Sequence, residues 1–164
     1  MITEVINSFE LTLDFARRSV ADLDGDQMTI QPTGIPNHPA WTLGHLVYSC
    51  HEICCDLGLE PWLPEELKVL FSTGSTPESR GVSYPLKVDL LHALDEAWQQ
   101  LRAVLLTKNE RDLSEPLSEA HVGDIFPTRS HALVHVICAH SAFHVGQLAS
   151  WRRAMGLQPV SCFI

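Results

Sequence analysis

No run of basic residues in the chain is longer than two, Arg17–Arg18 and Arg152–Arg153. Eleven Lys and Arg face twenty Asp and Glu, a formal charge of −9. Phosphate binding needs clustered cations, so the sequence argues against nucleic acid as a partner. No stretch approaches ~20 uninterrupted apolar residues, so no membrane span is expected. The opening MITEVINSFELTLDFARR has acids within its apolar pattern and no basic n-region, which predicts no secretory leader. Strand-like alternation, internal repeats and low-complexity tracts are also lacking. Five cysteines is an odd number, and Cys50, Cys54 and Cys55 crowd one helical stretch. That suits reduced thiols better than a disulfide framework and, with the acidic balance, predicts a cytoplasmic protein.

What is present is helical periodicity. A chain of 164 residues with 45% hydrophobic content reads as one globular domain, 1–164. Val5, Phe9, Leu13 and Ala16 mark a first helix from about Thr3, a candidate N-cap, to Leu23. Pro32, Gly34, Pro36 and Pro39 forbid a helix in the following linker. A second helix covers roughly Ala40–Leu57 and stops at Gly58. The connection 59–85 holds at most a short helix near Glu65–Phe71, and its length suggests that it covers or lines a site. A third helix runs from about Leu86 to Thr107, with Leu90, Leu94, Ala97, Leu101 and Leu105 on one face. After a second irregular stretch, Thr128 caps a fourth helix that continues to about Met155 and ends at Gly156. The expected fold is all-α, a four-helix bundle with long irregular connections.

Asp22, Asp24 and Asp26 resemble the start of a calcium loop. Glycine falls at the wrong position, and Thr33 stands where a bidentate glutamate is needed, so a helix end and turn is the better reading.

Four of the nine histidines lie in HALVHVICAHSAFHVGQL, 131–148. On a wheel of ~100° per residue, His140 and His144 fall in the middle of the apolar stripe with Val136, Ile137, Gln147 and Trp151. His131, His135 and Arg153 face the other way, and Cys138 lies off the histidine arc. Two imidazoles buried one turn apart need partners for their nitrogens, and their spacing lets both converge on one ion. On the second helix His45 lies off the main apolar stripe of Leu43, Leu46, Val47, Cys50, Ile53 and Leu57. It shares a second stripe with Trp41, Tyr48 and Glu52. His45 is therefore either a third ligand or a partly exposed histidine beside an aromatic, and His51, on neither stripe, is the weaker rival. Cys50 and Cys54 read as small buried hydrophobes.

WTLGHL (Trp41 to Leu46), followed by HSAFHVGQL (His140 to Leu148) and RRAMG (Arg152 to Gly156), resembles the DinB/YfiT-like superfamily, named as metal-dependent hydrolases. The resemblance spans essentially the whole chain. It implies an up-down-down-up bundle, commonly dimeric, with a divalent metal on three histidines that map onto His45, His140 and His144. Relatives of known activity include thiol-dependent S-transferases and a thiol-dependent maleylpyruvate isomerase. The resemblance thus implies a small-molecule substrate and a low-molecular-weight thiol as cosubstrate.

Three neutral imidazoles leave an ion's charge intact and at least one position open. Zinc is the first choice and nickel the second, because imidazole accepts both. Glu52 is the candidate general base, and Trp41, Tyr48 and Gln147 are candidate pocket residues. The alternative is a non-catalytic metal-binding or stress-associated bundle.

Overall fold

A computed structural model describes residues 2–78, 83–117 and 125–161. Four long helices dominate: α1 (Ile2–Val20), α2 (Pro39–Asp56), α4 (Lys87–Thr107) and a last helical run in three parts. That run is α6 (Arg129–Val134), a π-helical segment (His135–His140) and α7 (Ser141–Ala154). Two short helices, α3 (Glu65–Phe71) and α5 (Glu110–Ser114), lie in the connections, and no strand occurs among the described residues.

Long-range contacts fix the helix directions. Arg17 pairs with Asp95 and Glu10 with Arg102, so α1 and α4 run antiparallel. Arg152, near the end of α7, reaches Ser19 O and Asp22 just past α1, so those two helices are parallel. Asn37 meets Gln147 and Asp56 meets Arg129, which makes α2 antiparallel to the last helix. The starts of α2 and α4 meet around Gly44 and Leu90, and their ends around Leu57 and Val104. The order is therefore up-down-down-up. Parallel neighbours cannot be joined by a tight turn, which is why α2 and α4 need the long 59–85 connection.

The core runs through all four helices, with Phe9, Leu13, Leu43, Leu46, Leu94, Leu101, Leu105, Ile137, Leu148 and Trp151 almost wholly buried. The Phe9 ring meets Trp98 edge-on at 5.0 Å, locking α1 to α4. Gly58 (φ +98°) and Gly156 (φ +70°) end α2 and α7 in the left-handed conformation that a side chain would strain.

Several sequence expectations shift in detail. Thr3 lies inside the first turn of α1, not at its cap. Thr128 does sit at the N-cap of α6, but its hydroxyl contacts Ser130 Oγ and His131 Nδ1 instead of a backbone amide. Asp22 is committed to Arg152, and Asp24 Oδ1 accepts from Gln27 N, so the acidic linker closes a helix end. By length and composition, 129–154 is the one helix among the described residues that could cross a membrane. It lacks the uninterrupted apolar run sought in the sequence, because histidines, serines and glycine punctuate its Ala, Val and Ile. Here it packs along α1 and α2, and the core helix of a bundle passes the same test.

Candidate metal centre

The second helix starts where His38 caps it: Nδ1 accepts from Trp41 N at 3.2 Å, and Pro39 takes the first helical position. One turn into α2, Gly44 lies against the ring of Phe71. A Cβ built on Gly44 would stand 2.2 Å from that ring. Only glycine lets Phe71, the last residue of α3, seat so close to α2. The seat brings Phe71 O onto His45 Nδ1 at 2.7 Å. A carbonyl only accepts, so His45 carries its proton on Nδ1 and presents a lone pair from Nε2.

His144 is fixed in the same sense from the other side. Its Nδ1 donates to Gln147 Oε1 at 2.9 Å, and the same oxygen accepts from Asn37 Nδ2 at 2.7 Å. The second donor orients the amide with its oxygen towards His144. Both imidazoles thus have their tautomer set by a partner behind them, the usual arrangement for metal-ligating histidines.

Between them stands His140, whose Nε2 is 3.1 Å from both His45 Nε2 and His144 Nε2. Three nitrogens converge, and all lie within 4.8 Å of one another. Two nitrogens each ~2.1 Å from one ion lie ~3.0 Å apart at a right angle and ~3.4 Å apart at the tetrahedral angle. The two separations from His140 fall in that range. A single proton on His140 Nε2 can bond one neighbour well and leaves the other neighbour's lone pair without a donor. One cation satisfies all three, so the donor set fits a metal ion.

His45 and His144 are buried and His140 half-buried. Burial lowers the pKa of His140 to about 3, reinforced by His144, His45 and the neighbouring His135, and that of His144 to about 4. Burial lowers His45 as well, against the opposing pull of Phe71 O. All three are neutral at neutral pH, the state a ligand needs.

Trp41 stacks on His45 with ring centroids 4.6 Å apart and planes 10° from parallel, and the Tyr48 ring lies 6.1 Å from that of His45. The 59–85 connection reaches the centre at three points. Besides Phe71 O, Ser75 Oγ accepts from Trp41 Nε1 at 2.9 Å, and Tyr84 packs edge-on to His38. The connection therefore lines this face of α2.

The structure brings His45, His140, His144, Trp41 and Tyr48 together. Gln147 lies behind His144 as its hydrogen-bond partner. Glu52 is seven residues beyond His45, ~10 Å along the helix. Its exposed carboxylate stands 4.0 Å from His51 Nε2. His51 is buried against Trp62, edge-on at 4.8 Å. Asn37, Gly44 and the Phe71 carbonyl were not found by sequence reasoning. Cys50, Cys54, Cys55 and Cys138 are free thiols, and burial pushes Cys54 up to about 12.

Two cavities lie away from the three imidazoles. One, of about 510 Å³, opens between Leu57 and Gly58 and the end of α4 at Gln100 and Val104. The other, of about 180 Å³, lies behind Phe71 among Val47, Leu67, Leu90 and Ala93.

Residues 8–148 match the family model of the DinB superfamily. That span contains all three converging histidines. No curated protein matches the chain.

Proposed function

The chain belongs to the DinB superfamily, and from that premise we propose that it is a metal-dependent enzyme of the thiol-dependent S-transferase or hydrolase type, acting on a small molecule. The observation that carries this reading is the convergence of three neutral imidazoles with no fourth His, Cys, Asp or Glu joining them among the described residues. A structural zinc site is normally closed by four protein ligands, whereas a reactive site keeps a position open. A divalent ion held there would supply Lewis acidity, lowering the pKa of a thiol or water brought against it. Zinc is the first candidate and nickel the second.

The protein's own part is positioning. Phe71 O and Gln147 Oε1 hold two imidazoles in the ligating tautomer. Trp41 and Tyr48 wall the His45 side and restrict the angle from which a substrate can enter. The half-buried His140 marks the more open approach. A role for Glu52 as base would require its carboxylate to turn away from His51. A homodimer and a cytoplasmic location complete the proposal. Phe143, beside His144 and 63% exposed, supports a second copy at that face.

One observation favours a non-catalytic, stress-associated metal-binding bundle: neither the cavity beside Leu57 nor the one behind Phe71 is lined by any of the three imidazoles. The two readings separate on a pair of variants from the same helical run. His144→Ala removes a ligand, whereas His135→Ala truncates an exposed ring. Metal content is measured first, then transfer of a small thiol to an electrophile, then hydrolysis of simple esters and amides. In His144→Ala, metal affinity and activity should fall together by more than the ~10–100-fold that loss of a ligand's hydrogen-bond partner costs. His135→Ala, whose ring lies 6.3 Å from that of His140 but is not one of the converging three, should lose far less of either. A metal-loaded protein whose reactions are indifferent to His144 supports the binding role.

A further inference from the structure

A second pair of metal-type donors lies further along α2, on a different face. His51 and Cys55 are four residues apart, so their side chains meet on the helix surface. His51 Nε2 stands 3.6 Å from Cys55 Sγ and 4.0 Å from Glu52 Oε1. His51 is only 1% exposed, yet its Nδ1 has no hydrogen-bond partner among the described residues. Trp62 meets the His51 ring edge-on at 4.8 Å, while Cys55 is half-buried and the Glu52 side chain is exposed. The donors are six or more residues beyond His45, about 9 Å along the helix axis.

The His51–Cys55 spacing suits one ion, whereas Glu52 would have to move closer to join it. A sulfur ~2.3 Å and a nitrogen ~2.05 Å from a common tetrahedral ion are ~3.5 Å apart. A thiol–imidazole hydrogen bond holds the same two atoms at that separation beforehand. We propose that His51 and Cys55, with Glu52 turning in from solvent, form a second binding site for a thiophilic divalent cation of the zinc type, distinct from the three-histidine centre.

Charge around the pair favours a dication. Glu52 and Glu60 lie near Cys55, and Lys68 opposes them but is itself paired with Glu65 at 3.3 Å. Burial, then Glu52 and Glu60, push the Cys55 thiol up, while burial and then Lys68 push the His51 imidazole down. His51 therefore offers a neutral nitrogen. On binding, the S–H bond breaks, a sulfur–metal bond forms and the proton leaves to solvent, so affinity rises with pH. Three protein donors at most leave a position for water. The site is consequently exchangeable, unlike a closed structural site with four protein ligands.

The test uses cadmium or cobalt(II) as the probe, because a thiolate bound to either absorbs by charge transfer and the three-histidine centre contains no sulfur. The full chain carrying His140→Ala and His144→Ala is titrated while the ultraviolet spectrum is recorded. A thiolate band should grow and saturate at one equivalent. It should be lost in Cys55→Ser, weaken in His51→Gln and persist in Cys50→Ser and Cys54→Ser. Cys55→Ser preserves size at a half-exposed position, and helical circular dichroism confirms that each variant is folded. Absence of a band at large metal excess, or a band that survives Cys55→Ser, overturns the site. Because the signal is specific to sulfur, it stands or falls independently of the three-histidine enzyme.

Discussion

His45 and His144 differ from His140 in having a protein partner behind the ring. For His144 that partner is one amide oxygen, held in place by Asn37 Nδ2. Gln147→Leu removes the acceptor, frees the imidazole to change tautomer and leaves the Asn37 amide without its bond. Loss of such a partner typically weakens metal binding ~10–100-fold. Asn37→Ala should cost less, because it only releases the amide to rotate. Gln147→Glu keeps an acceptor for both donors and should bind metal at least as tightly as the parent. Competition against a chelating dye gives the three affinities. If Gln147→Leu binds like the parent, the amide does not hold His144. The sequence put Gln147 on the right arc, but a helical wheel cannot say whether a residue faces the ion or backs a ligand. Asn37 lies 110 positions away in a proline-rich linker, and no local pattern connects the two.

Helices are where the sequence was most legible and where its main miss occurred. The apolar spacing predicted all four long helices, because a 3.6-residue period and a buried stripe are the same fact. Gly58 and Gly156 stop helices because the left-handed turn favours glycine. The π-helical segment at 135–140 left no such mark: HVICAH has neither proline nor glycine. A wheel at a constant ~100° per residue therefore centred His140 in the buried stripe. In the structure Ser141 is buried there instead, and its hydroxyl donates to Val136 O five residues back. The wider turn leaves His140 half-buried between its two neighbours, in keeping with the frequent placement of such turns at functional sites. The link between α2 and α3 was equally hidden, since any residue type can supply the carbonyl at position 71.

What the link does require is the glycine opposite Phe71. In an ordinary helix interior, Gly→Ala stabilises by about 1 kcal/mol. At Gly44 the added carbon collides with the Phe71 ring, and overpacking typically costs ~1–3 kcal/mol. Gly44→Ala should therefore lower stability in urea unfolding and, by shifting Phe71 O from His45, weaken metal binding as well. A variant more stable than the parent with unchanged affinity would show that the contact is not a constraint.

At the scale of the whole molecule, the question is whether the ion makes the fold or uses it. Trp151, Leu148, Leu13 and Leu43 bury an apolar core that does not depend on the three imidazoles. Arg152 adds a clamp at the helix ends, donating to both Asp22 oxygens, Ser19 O and Gln158 O. Chelation should therefore lower Tm without loss of helical circular dichroism. With free metal at ~100 times Kd, linkage contributes about 2.7 kcal/mol. For a domain of this size each kcal/mol moves Tm by ~2–4 °C, so a drop of roughly 5–11 °C is expected. Acid should act on the same groups. His140 is depressed to about 3, and His144 and His38 to about 4, chiefly by burial, while His45 is lowered too. Unfolded histidine titrates near ~6.5. Between those values the unfolded chain binds more protons than the folded one. Stability contributed by keeping these rings neutral is present above ~6.5 and is lost as pH falls towards the folded values. Tm of the metal-free protein should fall between pH 7 and about 3 and flatten with respect to these groups below that. Metal also requires neutral ligands, so the loaded protein should fall more steeply until its ion is released and the two curves merge. A flat metal-free curve across that window would mean that these imidazoles are not buried as neutral rings. Complete unfolding on chelation at neutral pH would instead make the ion part of the fold.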